Sequence, residues 1–181
     1  MDRERAMKAV KELLEALGED VESEGLKDTP RRVADAFAEF VSGNETSAED
    51  ALSATFNVDG GDLVIEKDIA FSSTCEHHLM PFFGRIAIAY IPDKKVVGLS
   101  KLARCVEVFA KRLQLQERLT GQIAEAVMAC LKPKGVMVWC EAEHTCMTCR
   151  GVKKAGSKTV TYKVAGGFPR EKISEVLALI Q

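Results

Sequence analysis

At 181 residues, with 25 Lys and Arg against 27 Asp and Glu and 46% hydrophobic residues, the chain suits one packed domain with a small helical appendage. A net charge of −2 excludes the strong basic excess of a nucleic-acid binder, and the apolar fraction excludes a disordered chain. The stretch "MDRERAMKAVKELLEAL" is charged and amphipathic, unlike a signal peptide, and no segment is long and apolar enough to span a membrane. The expectation is a cytoplasmic protein whose partners include neither membrane nor nucleic acid.

Residues 3–17 place Ala6, Met7, Val10, Leu13, Leu14 and Leu17 at helical spacing, and Gly18 stops the run. In "DTPRRVADAFAEFVSG", Thr29 can cap a second helix, Pro30 suits its first position, and Val33, Phe37, Phe40 and Val41 form its apolar stripe. Residues 44–58 read as a loop, so a helical segment over 1–58 is expected before a main domain over 59–181. From 62 the period becomes two: Leu63, Ile65, Ile69 and Phe71 alternate with Val64, Glu66, Asp68 and Ala70. A second strand over 83–91 closes at Pro92-Asp93. Ser100 can cap a helix carrying Leu102, Val106, Phe109 and Leu113, and a further helix over 116–131 carries Leu119, Ile123, Val127 and Leu131. "VMVWCEAEHTC" and "SKTVTYKVAG" read as strands, and "PREKISEVLALI" as a closing helix. The order α-α-β-β-α-α-β-β-α predicts an α+β fold with antiparallel hairpins.

Six cysteines could make three disulfides, but a reducing compartment argues against that. Cys105 and Cys130 fall on apolar helix faces and read as buried small hydrophobes. Cys75, Cys146 and Cys149 sit instead in polar sequence, and the three histidines, His77, His78 and His144, all lie in "CEHH" or "EHTC". Along the strand from 136, Val136, Val138, Cys140 and Ala142 share a face that His144 and Cys146 would continue. Cys75, His78 and Cys146 would offer S, N and S to zinc and leave the fourth position to water, the catalytic arrangement. Unligated His77 and His144 could then move protons near neutral pH. The rival is a closed structural site, CxxH with CxxC, in which Cys149 is the fourth ligand. A strand continuing through 149 would point Cys149 to the opposite face, although a tight turn after 146 removes that objection. A structural site also needs neither His77 nor His144. A redox CxxC lacks the strand-to-helix setting that lowers a thiol pKa.

Ser100, Lys101 and Arg104 open a helix, where free N–H groups also favour an anion; Arg150 follows Cys146, and Arg31 and Arg32 open an earlier helix. A solvated helix face is the plain alternative, but nearness to the ligand motifs favours an anionic, polyphosphate substrate. Glu117 is either a dipole-matched first-turn carboxylate or an acceptor of paired N–H groups from a guanine-like edge.

"STCEHHLMPFFG", "GLSKLARCVEVFAKRLQLQERLT" and "EAEHTCMTCRGVKKAGSKTVT" together resemble the GTP cyclohydrolase I family, over about residues 28 to 170 and in the family's order. The resemblance implies a tunnelling fold: N-terminal helices, then a β-β-α-α-β-β core whose antiparallel sheet assembles with other subunits into a barrel. It implies a homodecamer with sites at subunit interfaces, and Zn2+ held by Cys75, His78 and Cys146. His144 would protonate purine N7, and His77 would assist water activation and proton transfer. Glu117 would anchor the guanine edge of GTP with Gln116 beside it. Ser100, Lys101, Arg104 and Arg150 would contact ribose and triphosphate, as would Arg32. The implied reaction adds water at C8 of GTP, opens the imidazole ring, releases formate and rearranges the ribose to give 7,8-dihydroneopterin triphosphate, the first step of folate and pterin synthesis. Cys149 departs from the family pattern, which keeps a zinc-stabilised, non-catalytic binding protein of the same fold as the alternative. The short segment before the first motif gives no ground for carrying over the partner regulation of longer members.

Overall fold

The computed structural model describes residues 1–180. The chain forms two compact units, one over Met1–Ser42 and one from Gly43 onward. In the first, α1 (Arg3–Ala16) is capped by Asp2, whose carboxylate accepts from the Arg5 N–H at 3.0 Å. Gly18, at φ 84, follows the helix where only a residue without a Cβ is comfortable. In α2 (Thr29–Phe40) the cap position belongs to Asp28, without a side-chain bond, and Thr29 is already helical, its hydroxyl donating to the Gly25 carbonyl at 3.4 Å. The expected Thr29 cap is thus displaced by one residue.

The expected loop over 44–58 contains structure. A 3-10 turn (Ser42–Glu45) leads to α3 (Ala48–Ala51), capped by Ser47, and to β1 (Thr55–Asn57). The main sheet begins with β2 (Val64–Cys75) and β3 (Pro81–Ile91), an antiparallel hairpin. Next come β4 (Lys95–Val97), which pairs with β1, then α4 (Leu99–Ala110), β5 (Leu113–Gln114) and α5 (Gln116–Leu131). The chain continues through β6 (Gly135–His144), α6 (Thr145–Thr148), β7 (Lys158–Gly166) and α7 (Arg170–Ile180). The five-stranded sheet has the order β5-β2-β3-β6-β7, antiparallel except where β5 runs beside the end of β2. The α+β class, the N-terminal helices and the β-β-α-α-β-β succession are as expected. Among the described residues no helix is long and apolar enough to cross a membrane.

Helices α4 and α5 cover one face of the sheet, packing Leu102, Val106, Ile123 and Val127 against Ile86, Ile88 and Val138. On the other face Val176 and Ile180 of α7 meet Ala87, Ala89, Met137 and Trp139. A bulge decides which residues of β2 face which layer. Glu66 pairs with Ile88 and Ile69 with Ile86, so Lys67 and Asp68 together oppose Ala87, and Asp68 takes φ 57. One extra residue exchanges the faces of everything beyond it. Leu63 and Ile65 therefore pack with the α7 layer, whereas Ile69 and Phe71 face α4 and α5. The expected common face for these four residues is corrected on that ground.

Two helix expectations also change. Gly98 occupies the N-cap position of α4 and makes no side-chain bond, so Ser100 lies inside the first turn. Leu113 is not on α4: it pairs with Thr74, and Gln114 with Cys75, which joins β5 to the end of β2.

Candidate metal centre and active site

Cys75 ends β2 and is 6% exposed. Its N–H donates to the Met80 carbonyl at 2.8 Å, and its carbonyl accepts from the Leu79 N–H at 2.9 Å. These bonds close a tight turn, with Leu79 at φ 54, that carries His78 back until its Nδ1 lies 3.8 Å from Cys75 Sγ. The neighbouring pair β3–β6 sets Phe82 opposite His144, where β6 stops. The chain then coils into the single turn of α6, which presents Cys146 to the same place. Donor atoms of Cys75, His78 and Cys146 all lie within 4.8 Å of one another.

This donor set fits a tetrahedral metal. Zinc–sulfur and zinc–nitrogen bonds subtend an S···N separation of about 3.6 Å, close to the 3.8 Å between Cys75 and His78. Burial pushes the Cys146 thiol up, the adjacent Cys75 thiol pushes it further, and Arg150 opposes both. A bound cation removes that mutual penalty by taking both sulfurs as thiolates.

His144 and Cys146 do not continue one strand face, because α6 begins between them. The turn that could have rescued Cys149 as a ligand does form, one residue earlier than considered, and does not deliver it. Cys149 is exposed, its Sγ donates to the Thr145 carbonyl at 2.8 Å, and it stands outside the converging group. All six cysteines are free; Cys105 is buried as expected, and Cys130 is half-buried.

His144 is half-buried against Phe82, the rings stacked at 4.5 Å and 4° between planes. Burial holds its pKa below the ordinary value, partly offset by the Glu117 carboxylate. Glu117 is exposed in the first turn of α5. His77 is exposed beside His78, the two rings edge to face at 6.2 Å. Gln116, expected beside the substrate, is 2% exposed and bonds to His144 Nε2 at 2.8 Å.

Sequence reasoning passed over two residues that brace the ligand turn. Glu76, between the ligand positions, pairs with Arg118, and its N–H donates to the Gln114 carbonyl at 3.1 Å. Arg118 also donates to Gln114 Oε1 and to the Leu113 carbonyl, both at 2.9 Å. The one signal in the sequence was the place of Glu76 inside "CEHH".

The cationic candidates separate. Arg150 is two residues beyond α6, near the cluster. The start of α4, with Ser100 and Lys101, follows Val97, whose N–H donates to the Tyr90 hydroxyl at 3.4 Å. Tyr90 pairs with Val64 and Val136, at the opposite end of the sheet from the Phe82–His144 pair. The stretch of β3 from Phe82 to Tyr90 spans about 26 Å at the usual strand rise. One chain therefore does not bring Ser100 and Lys101 to the metal cluster, and Arg104 lies one turn further along α4. Arg32 belongs to the first unit, where it donates to the Gly25 carbonyl and Thr29 Oγ1, both at 2.9 Å.

Two thiols and an imidazole set for a cation, two unligated histidines and an exposed carboxylate form a site able to hold a metal and transfer protons. Similarity to known proteins is extensive. Residues 6–181 match the family described as GTP cyclohydrolase I. A GTP cyclohydrolase 1 of Clostridium kluyveri is 58% identical over 93% of this chain and 91% of its own length. Its counterpart in Carboxydothermus hydrogenoformans is 54% identical over 99% of this chain and 95% of its own. That of Streptococcus agalactiae is 51% identical over 99% and 98%. With a match of that length laid over a Cys-His-Cys cluster built from the very motifs that suggested it, the chain belongs to the GTP cyclohydrolase I family.

Proposed function

We propose that this chain converts GTP and water into formate and 7,8-dihydroneopterin triphosphate, as a zinc enzyme assembled from identical subunits. The observation that carries this reading is the convergence of Cys75, His78 and Cys146 within 4.8 Å beside the unligated His144, in a chain of this family. Cys75, His78 and Cys146 hold the metal; when bound, it supplies a Lewis acid and lowers the pKa of water at its open position. His144, fixed against Phe82, delivers a proton to the purine nitrogen that departs from C8 as the imidazole ring opens. His77, exposed beside His78, relays protons for the hydrolytic steps. Glu117 accepts paired N–H groups of the guanine edge. Arg150, Lys101, Arg104 and Ser100 receive the ribose and triphosphate, with Arg32 a further phosphate contact.

The separation of Ser100 and Lys101 from the cluster supports a site shared between subunits, in which the phosphate-binding helix start comes from a neighbouring copy. We infer the family's homodecamer, its subunits closing their sheets into a barrel. Thiolate ligands and free cysteines suit the reducing cytoplasm.

The test is His144→Ala. It is expected to keep its fold and its zinc, while formate release from GTP falls about 100-fold or more, the usual weight of a general acid. Unchanged turnover would remove His144 from the chemistry.

A further inference from the structure

Gln116 is the first residue of α5 and is 2% exposed. Its Nε2 lies 3.2 Å from the Cys140 carbonyl, 3.0 Å from the Thr159 carbonyl and 3.2 Å from Thr161 Oγ1. Carbonyl oxygens only accept, so this end of the amide is the nitrogen, and the end 2.8 Å from His144 Nε2 is the oxygen. An amide oxygen also only accepts, so His144 Nε2 carries the hydrogen.

The threonine hydroxyls agree with this assignment. Thr120 Oγ1 donates to the Gln116 carbonyl at 2.8 Å. Its one hydrogen is then used, so the 2.7 Å contact between Thr120 and Thr161 runs from the Thr161 hydroxyl. That leaves Thr161 Oγ1 free to accept from the Gln116 amide, and the ring of donors closes without conflict. Phe82, fully buried, fixes the plane of the His144 ring by stacking.

We propose that Gln116 is a positioning residue that holds His144 with its hydrogen on Nε2, making Nδ1 the nitrogen that meets the substrate: Nδ1 takes the proton released by the attacking water and passes it to the departing purine nitrogen. This rests on the reading of His144 as the proton-transfer group. Gln116 itself touches no substrate, because both ends of its amide are committed inside the chain. Its cost to the fold is small for the same reason: a buried amide with all its bonds made carries little penalty, whereas one bond lost leaves a buried group unsatisfied. The backbone carbonyls of β6 and β7 set the amide, and the amide sets the imidazole.

The test uses isotope-edited Raman spectra of histidine-labelled, zinc-loaded protein at neutral pH, with His144→Ala as the spectral blank, together with steady-state kinetics on GTP. Wild-type protein should show the Nε2–H signature for His144. Gln116→Met, similar in length but without the amide, should lose that signature. Its kcat should fall about 100-fold while KM for GTP stays within about twofold. Gln116→Glu, held as the neutral acid because its second oxygen must donate to the Cys140 or Thr159 carbonyl, keeps an acceptor for Nε2–H and should recover about tenfold of the lost kcat together with the signature. An Nδ1–H signature in wild-type protein would overturn the proposal. So would a Gln116→Met variant with normal kcat and raised KM, which would make Gln116 a substrate contact. Should Gln116→Met not fold, the wild-type spectrum and Gln116→Glu still decide. Wild-type protein that forms no formate would sink the reaction rather than the tautomer, and the spectrum separates the two failures.

Discussion

Cys149 and Cys146 are three positions apart and differ in everything that matters to a metal. Cys146 meets Cys75 and His78, whereas Cys149 is exposed and donates its S–H to Thr145. Cys149→Ala should therefore bind zinc with the same stoichiometry and lose no more than about 0.5 kcal/mol of stability. Cys146→Ala should not retain zinc through gel filtration, as metal analysis of the two variants would reveal. The buried thiols lead to a different expectation. Burial pushes Cys105 and Cys140 up to about 12. Between the ordinary thiol value and about 12, the unfolded chain has released protons that the folded chain keeps. The unfolded state then binds fewer protons, so stability falls as pH rises, by about 1.4 kcal/mol per pH unit for each thiol. Urea unfolding from pH 9 upward should give a shallower alkaline decline for Cys140→Ala than for the parent, and an equal slope would contradict the assignment.

The elements hold the ligands through pairings that no single stretch of sequence contains. Gly84 faces Ala142 across β3–β6, and a Cβ there would run into the Glu141 carbonyl and sit 2.7 Å from the Ala142 Cα. Gly84→Ala is expected to cost about 1–3 kcal/mol by forcing the two strands apart, and to lower turnover by disturbing the Phe82–His144 pair two residues on. Urea unfolding and formate release measure the two effects, and an unperturbed variant would show that the strands can separate freely. The long periodic elements were legible: α5 and the body of β6 stand where the 3.6 and 2.0 periods put them. The three ligand candidates were legible because residue types that bind metals are crowded into two short motifs. The bulge at Lys67–Asp68 was not, since a bulge is a property of two paired strands. Nor was α6, a single turn too short to have a period. Gln116 looked like a neighbour of Glu117 in a substrate pocket; its true partners lie on β6 and β7, 24 to 45 residues away.

The chain holds the two parts of the proposed site apart. The metal cluster stands at one end of the sheet, and the Ser100–Lys101 helix start stands at the other. Sequence proximity of cationic motifs to ligand motifs suggested adjacency, and the length of β3 refutes it within one chain. If neighbouring copies complete the site, two inactive variants should complement each other. Lys101→Ala and Cys146→Ala, unfolded and refolded together, are expected to regain a fraction of wild-type activity, because some interfaces pair the intact half of each. No regain from properly assembled mixtures would confine the site to one subunit. The reaction itself is tested first by giving reduced, zinc-loaded protein GTP and following formate together with pterin fluorescence after mild oxidation, with and without a chelator. Both products in equal amounts, abolished by the chelator and restored by zinc, are the expected result. Neither product from folded, zinc-loaded protein, or products indifferent to the chelator, would contradict a metal-dependent GTP cyclohydrolase.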